Sequence, residues 1–140
     1  MILLDTNVLS ELIRREPDEG VTRWLDSLDA NAVATTAITA AELLYGVARL
    51  PTGRRKKRLS EAIHGLIEED LDGRVEPFDV TAATHYADLV SDRESAGAPI
   101  SIADAQIAAI CRKLGATLAT RNTRDFSGTG IELLDPWQLR

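Results

Sequence analysis

The sequence predicts an α/β fold, with a central, mainly parallel sheet of four or five short strands flanked by helices. The first observation behind this prediction is alternation, since short apolar runs are separated by longer segments whose apolar residues recur at helical spacing. A helix between consecutive strands implies crossover connections, which join parallel strands. The second observation is the length of 140 residues without a repeat, a low-complexity segment or a long Pro/Gly-rich linker, which predicts a single domain, residues 1–140.

Up to Pro51, short strands and helices follow one another closely. The predicted elements, in chain order, are a strand at 1–4, helices at 6–14 and 19–28, a strand at 32–36 and a helix at 39–50. Pro17 and Gly20 divide the first two helices, because both residues disfavour a helix interior. Leu43 and Val47 mark one face of the third helix, which Pro51 ends.

The same alternation continues to the end of the chain. The predicted elements are a helix from Leu59 to near Gly73, a weaker strand at 74–78, a helix from Ala83 to Val90 closed by Gly97, a helix from Ala103 to Leu114 ended by Gly115, and strands at 116–120 and 131–134. In parallel sheets of this kind, ligands bind beyond the carboxyl ends of the strands. Acidic residues just past the predicted strands are therefore the first candidates for a site.

Four acidic residues from distant parts of the chain are expected on that edge of the sheet. Asp5 follows the first strand directly, and Glu42 follows the run AVATT at the start of a helix. Asp104 lies at the start of a later helix, and Asp125 lies just past the strand ATLAT. Their shared position beyond the strand ends predicts one acidic cluster.

Helix capping is the alternative role for these acids. Thr39–Glu42 and Ser101–Asp104 both match the capping-box pattern, and Asp5 could cap the first helix. Capping explains each acid separately but not their shared edge, where clustered carboxylates repel unless something cationic joins them. No Lys or Arg lies within four residues of Glu42 or Asp104. A basic residue from elsewhere in the fold stays open as the neutralising group, and a divalent metal is the more economical one.

The available ligand types indicate which metal to expect. The two histidines lie far apart without zinc spacing, and the single cysteine, Cys111, is typical of a small core residue. An all-oxygen ligand set favours Mg²⁺, with Mn²⁺ as a substitute. Carboxylates with such an ion are suited to cleaving phosphate esters, since the metal activates water and stabilises the negative charge that develops.

The chain resembles the PIN-domain nucleases in four successive acidic motifs, which here read MILLDTNVLSEL, TAAELLYG, ISIADAQIAAI and LATRNTRDF. More narrowly, it resembles the VapC toxins of bacterial toxin–antitoxin pairs. One Asp-Thr-Asn after a strand is weak evidence, whereas four motifs in this order and at this spacing are specific. The resemblance runs from Met1 to the ending IELLDPW, and it implies a parallel sheet flanked by helices and a homodimer.

The resemblance implies a role for each matching residue. Asp5 matches the first acid and Asp104 the third, and both would be direct metal ligands. Glu42 matches the second acid and would hold or orient a metal-bound water. Thr6 matches the hydroxyl residue that often follows the first Asp, and it would support the site.

The fourth motif departs from the fullest pattern of the family. Where many PIN domains carry an acid, this sequence has Asn122, and Asp125 follows three residues later. Asn122 would orient water or the scissile phosphate without adding charge, so which of the two residues fills the fourth position stays open. We expect one tightly held Mg²⁺, with a second recruited only with substrate.

The resemblance implies a Mg²⁺-dependent endoribonuclease, the toxin of a VapBC-type toxin–antitoxin system. Its expected partners are RNA as substrate, a VapB-type antitoxin, and operator DNA only through the antitoxin complex. No membrane partner is expected, because no apolar run approaches the roughly 18 residues of a membrane span. The lack of an export signal and the single cysteine favour the cytoplasm. The net charge of −6 decides little, since clustered acids would themselves produce it.

Two other functions remain alternatives. A non-catalytic PIN-like regulator would bind an antitoxin through its acidic pocket and join a complex on operator DNA, and Asn122 favours this alternative. A phosphotransfer domain of the receiver or haloacid type also has Asp at strand ends. That class requires a second Asp two residues after the first, or a Lys on a late strand. Asn7 occupies the first of these positions, and no such Lys is found.

Basic and apolar residues indicate candidate contact surfaces. Residues 54–58 (RRKKR) suit either a solvated helix start or a phosphate-binding patch. Arg121 and Arg124 flank Asn122 in the expected active-site loop and are better placed for backbone phosphates. The apolar stripes of the helices at 6–14 and 39–50 could be covered by an antitoxin helix.

Overall fold

The computed structural model describes residues 1–139, which form five strands and six α-helices. The strands are β1 (Ile2–Leu4), β2 (Val33–Thr36), β3 (Val75–Glu76), β4 (Thr117–Ala119) and β5 (Glu132–Leu134). The α-helices are α1 (Thr6–Leu12), α2 (Glu19–Asp26), α3 (Ala37–Ala48), α4 (Arg54–Gly65), α5 (Val80–Ser95) and α6 (Ile102–Leu114). A π-helical turn, Leu66–Asp70, continues α4, and 3₁₀ turns lie at Ala30–Ala32 and Thr123–Phe126. No helix in residues 1–139 is both long and apolar enough to cross a membrane.

The five strands form one parallel sheet in the order β3-β2-β1-β4-β5, which confirms the predicted fold class. The first strand of the chain is therefore the central one. Ile2 of β1 pairs with Val33 of β2 on one side and with Thr117 of β4 on the other. The residue that follows β1 consequently lies at the middle of the carboxyl edge, between the ends of β2 and β4.

The sheet lies between two apolar clusters, because successive residues of a strand point to opposite faces. Leu3 of β1 and Leu118 of β4 belong to the first cluster, with residues of α5 and α6. Leu4 and Ala119, the next residue on each strand, belong to the second, with residues of α1, α2 and α4. Cys111 is fully buried in the first cluster, as predicted for a small core residue.

Helix α3 begins at Ala37, two residues before the predicted start. The cap is Thr36, whose hydroxyl accepts the backbone N–H of Thr39 at 3.0 Å. The predicted capping box from Thr39 to Glu42 is therefore wrong, and Glu42 lies in the second turn of α3 rather than at its start. Asp5 caps α1, as predicted, and Ser101 caps α6. The predicted return bond of the Ser101–Asp104 box, from the backbone N–H of Ser101 to the Asp104 carboxylate, is not found in the described residues.

Helix α4 begins at Arg54, well before Leu59, where its apolar periodicity starts. The basic run 54–58 lies at the start of this helix, as one of its two interpretations predicts. The phosphate-binding interpretation stays a prediction. Two of its side chains meet the ends of other helices. Lys56 Nζ donates to the carbonyl of Ala48 at the end of α3, at 3.1 Å, and Arg58 donates to the carbonyl of Ile13 after α1, at 3.4 Å.

Candidate active site

Asp5 occupies the centre of the carboxyl edge of the sheet and is 4% exposed. Its Oδ1 accepts the backbone N–H of Thr6 at 2.8 Å, as the cap of α1. Its Oδ2 accepts the hydroxyl of Thr120 at 2.8 Å and the side-chain amide of Asn7 at 3.3 Å. A buried carboxylate is thus held by neutral donors, which fix its position without cancelling its charge.

The environment of Asp5 raises its pKa above the ordinary value for an aspartate. Burial is the main cause, and the negative charges of Asp104 and Glu42 act in the same direction. The hydrogen bonds from Thr120 and Thr6 oppose the shift, because they stabilise the ionised form. A nearby cation would therefore stabilise the ionised form of Asp5.

Glu42 reaches the same edge from α3, where its side chain is exposed to solvent. The hydroxyl of Thr6 donates to its Oε1 at 2.8 Å and lies 3.4 Å from the hydroxyl of the buried Thr39. Thr6 thus links the first and second acids, since its backbone N–H binds Asp5 and its hydroxyl binds Glu42. The structure thus places Thr6 between the two acids, and its supporting role stays a prediction.

Asp104 lies in the first turn of α6, where its backbone N–H donates to the hydroxyl of the cap Ser101 at 3.2 Å. Its pKa is raised, chiefly by partial burial and then by the charges of Asp125 and Glu42. The Ser101 hydroxyl and the more distant guanidinium of Arg93 oppose this shift. Asp104 therefore lies close enough to Asp125 and Glu42 for their charges to raise its pKa.

The fourth motif forms the 3₁₀ turn Thr123–Phe126, which follows β4. Asp125 is exposed within this turn, and its charge acts on Asp104. Asn122 precedes the turn, and its backbone N–H donates to the Thr120 hydroxyl at 3.0 Å. The side chain of Asn122 does not cap the turn. Of the two candidates for the fourth position, Asp125 is therefore the one that adds charge to the cluster.

Asn7 and Thr120 belong to the site although they were not among the predicted site residues. The amide of Asn7 donates to the hydroxyl of Thr120 at 3.2 Å, and its Oδ1 accepts the backbone N–H of Arg121 at 3.0 Å. These hydrogen bonds connect the start of α1 to the loop after β4. A sequence signal existed for both residues, because each is polar and lies just past one of two neighbouring strands.

The oxygen ligands of the site suit a metal ion that keeps part of its water shell better than an ion enclosed by protein ligands. In residues 1–139, no salt bridge involves Asp5, Glu42, Asp104 or Asp125. The same residues contain no group of three or more His, Cys, Asp or Glu side chains close enough to enclose an ion. Glu42 is instead engaged by the Thr6 hydroxyl. Two carboxylates plus water is the usual protein environment of Mg²⁺, so this oxygen-only cluster is compatible with that ion.

The acidic motifs lie in a stretch that matches a known family, since the family model described as PIN domain matches residues 2–131. The chain belongs to the PIN-domain family. VapC ribonuclease Y4jK of Sinorhizobium fredii is 41% identical over 138 residues, which are 99% of each chain. Toxin FitB of Neisseria gonorrhoeae is 43% identical over 137 residues, which are 98% of this chain and 99% of FitB.

A solved structure of FitAB bound to a DNA fragment has the same fold as this PIN domain. The TM-score is 0.91 at 42% sequence identity, and the match covers 100% of this chain and 98% of the other. Together with the two relatives, this likeness confirms the resemblance to VapC-type PIN domains that the four motifs predict.

The loop after β4 of this PIN domain carries a cation above an aromatic ring. The guanidinium of Arg121 lies 4.6 Å from the ring centroid of Trp137. Trp137 also packs against the second apolar cluster, so its ring connects Arg121 to that cluster. Arg121 and Arg124 are both exposed, and their contact with phosphates stays a prediction.

An apolar groove of about 670 Å³ lies on the side of the second cluster. Leu12 and Ile13, from the predicted apolar stripe at 6–14, line it together with residues of α2 and α4. The stripe at 39–50 is partly exposed elsewhere, with Leu44 at 40% and Tyr45 at 66%. Both stripes thus leave apolar surface uncovered in the isolated chain.

Proposed function

We propose that this chain is a Mg²⁺-dependent endoribonuclease and the toxin of a VapBC-type toxin–antitoxin system. The observation that carries the proposal is the cluster of Asp5, Glu42, Asp104 and Asp125 on the carboxyl edge of the sheet, without a salt bridge to any of them in the described residues. The relative named VapC ribonuclease supports an RNA substrate, and the relative named toxin FitB supports the biological role.

The residues of the cluster divide the proposed tasks between them. Asp5 and Asp104 would hold the ion directly, with Mn²⁺ as a substitute for Mg²⁺. The bound ion supplies Lewis acidity at the phosphodiester and makes a water molecule more acidic. Glu42, held by Thr6, would orient the attacking water and accept its proton.

The fourth motif sets how much negative charge faces the RNA. Asp125 would add a carboxylate beside Asp104, while Asn122 would orient water or the scissile phosphate without adding charge. One tightly held ion, with a second arriving with the RNA, suits this arrangement. Arg121 and Arg124 would contact neighbouring phosphates and offset the acidity of the site.

The proposed partners follow from the same acidic edge and from the relatives. A VapB-type antitoxin would silence the enzyme by placing a basic side chain among the acids, since they lack a salt bridge within residues 1–139. The structure of FitAB bound to DNA supports operator binding through the antitoxin complex. A homodimer remains part of the proposal, as the family resemblance implies.

The deciding experiment is cleavage of RNA by the purified chain without antitoxin, in Mg²⁺, in Mn²⁺ and in EDTA. Asp5→Asn and Asp104→Asn should each lose more activity than the roughly 10–100-fold typical for loss of a supporting hydrogen bond. Asp88→Asn, an exposed acid on α5, is the matched control and should cleave like the wild type. Cleavage that survives EDTA or both site variants would refute the proposed chemistry.

The non-catalytic regulator is the second candidate, and Asn122 is the feature that favours it. A folded chain that binds Mn²⁺ and an antitoxin but cleaves no RNA would support the regulator over the nuclease. The phosphotransfer alternative loses its basis, because the family match over residues 2–131 is to the PIN domain.

A further inference from the structure

Arg93, near the end of α5, donates to main-chain carbonyls in two separate segments of the chain. Its Nε donates to the carbonyl of Ala98 at 2.5 Å. Its Nη1 donates to the carbonyls of Asp125 at 3.2 Å and Ser127 at 2.9 Å. The side chain is half-buried, and all three hydrogen bonds lie at the protein surface.

The three carbonyls belong to the two segments that carry the third and fourth motifs. Ala98 lies in the connection from α5 to α6, three residues before the cap Ser101. Asp125 and Ser127 lie in and just after the 3₁₀ turn. Basic side chains near a helix C-terminus often donate to carbonyls at that end, so the bond to Ala98 is compatible with helix capping. Helix capping does not explain the bonds to Asp125 and Ser127, which lie 32 and 34 positions further along the chain.

The guanidinium makes these contacts without forming a salt bridge to either acid. In the described residues, Arg93 has no carboxylate partner within salt-bridge distance. An arginine paired with Asp104 would compete with a cation for that carboxylate. An arginine bound to backbone carbonyls instead fixes the backbone segments that carry the acids. It leaves the carboxylate oxygens available to a cation.

The contact pattern also requires the shape of arginine. A guanidinium is a planar fork with five N–H donors and can serve three fixed acceptors at once. The ammonium of lysine is a compact charge on a flexible stem, so it cannot reproduce this geometry.

We propose that Arg93 is a positioning residue that sets the separation of Asp104 and Asp125 by tying together the backbone segments that carry them. This inference rests on the proposed nuclease function, because its consequence is a correctly spaced pair of carboxylates for the metal and the RNA. Arg93 itself touches neither acid side chain and is not a catalytic residue.

The test compares Arg93→Gln and Arg93→Lys with Arg23→Gln, which changes an exposed arginine in the last turn of α2. We expect both Arg93 variants to lower kcat roughly 10–100-fold with KM unchanged, as for other residues that orient a metal ligand. Arg93→Lys should not restore the wild-type kcat, whereas Arg23→Gln should have the kcat of the wild type. A rise in KM alone, or wild-type kcat in Arg93→Lys, would overturn the proposal.

A double variant tests whether Arg93 acts through Asp125. In an Asp125→Asn background, Arg93→Gln should lower kcat by much less than it does alone, because residues that act as a unit are not additive. Fully multiplicative losses would show that Arg93 acts elsewhere, which would overturn the proposal. Circular dichroism on every variant separates these effects from unfolding.

Two readouts do not depend on RNA cleavage and so separate this inference from the proposed function. Mn²⁺ affinity, measured by electron paramagnetic resonance, should fall in both Arg93 variants and not in Arg23→Gln. Amide hydrogen exchange in residues 122–129 should become faster in the same two variants. A chain that cleaves no RNA but shows both changes would refute the nuclease and support the positioning role. Unchanged affinity and exchange would refute the positioning role alone.

Discussion

Thr120 supplies the deepest of the neutral donors that hold Asp5, since it is fully buried and its hydroxyl lies 2.8 Å from the carboxylate. We expect Thr120→Val, which is nearly isosteric, to lower RNA cleavage and Mn²⁺ affinity by roughly 10–100-fold. The physical reason is that Asp5 loses the side-chain hydrogen bond that most favours its ionised form. Initial rates on RNA and titration with Mn²⁺ measure the two effects.

Thr117→Val is the matched control for this prediction. Thr117 lies at the start of β4, at the opposite end of the strand from the site, and its hydroxyl meets Glu132 at 3.2 Å. The control should retain wild-type cleavage. Equal losses in both variants would mean that the hydroxyl acts through the stability of β4 rather than through Asp5.

The predicted acids and the missed residues differ in the kind of signal that each leaves in the sequence. Asp5, Asp104 and Asp125 could be placed because each follows a strand or starts a helix, and such positions are set by local pattern. Thr120 left a weaker signal, because its contact with Asp5, 115 positions away, depends on which strands are neighbours in the sheet. Arg93 left no local signal at all, since its partners are carbonyl groups that every residue has.

At the scale of elements, two side chains of the basic run 54–58 interact with the ends of neighbouring helices. Arg58 donates to the carbonyl of Ile13, just past α1. We expect Arg58→Gln to lower the free energy of unfolding by about 0.3–1 kcal/mol, the usual effect of a cation near a helix C-terminus. Arg55→Gln changes an exposed residue of the same turn and should leave stability unchanged. Urea titrations of the two variants check this, and equal midpoints would contradict it.

This run also shows why element boundaries are harder to predict than element types. Apolar periodicity indicates a helix only where the helix meets the core, so Leu59 gave the first signal of α4. Its first turn, from Arg54, is exposed and basic and adds no apolar residue to the pattern. For α3 the error had another cause, because the threonines at 36 and 39 are both able to cap and only the backbone geometry selects Thr36.

Helices α5 and α6 are joined at one end by an ion pair between Asp79, the cap of α5, and Lys113. The hydrogen bond from Lys113 is the main reason that the pKa of Asp79 lies below its ordinary value. A lowered carboxyl pKa contributes stability above the unfolded value of 3.8, and this stability is lost as the pH falls through the folded value. Asp79→Asn, which keeps a capping side chain, should therefore have a lower Tm than the wild type at pH 7, and the two should converge below pH 3.8. A difference that is constant with pH would exclude the ion pair as its source.

At the scale of the whole molecule, the acidic cluster joins four separate parts of the chain. Asp5 follows β1, Glu42 lies on α3, Asp104 on α6 and Asp125 in the turn after β4. The pKa values of Asp5 and Asp104 are both raised. A raised carboxyl pKa favours the folded state when the group is protonated, so this contribution is lost as the pH rises from the unfolded value of 3.8 through the folded one. At neutral pH, without a metal, the ionised carboxylates of Asp5 and Asp104 therefore destabilise the folded state.

This conflict predicts opposite effects of one substitution on stability and on activity. In EDTA at pH 7, Asp5→Asn should have a higher Tm than the wild type, because it removes a buried charge while the amide oxygen still caps α1. The loss of the two hydrogen bonds that Oδ2 accepts makes this gain smaller. Adding Mn²⁺ at 100 times its dissociation constant should stabilise the wild type by about 2.7 kcal/mol and should stabilise Asp5→Asn far less. Differential scanning calorimetry with and without Mn²⁺ measures both. If Asp5→Asn instead has a lower Tm than the wild type in EDTA, the Asp5 carboxylate stabilises the metal-free fold. Capping of α1 would then be its main role.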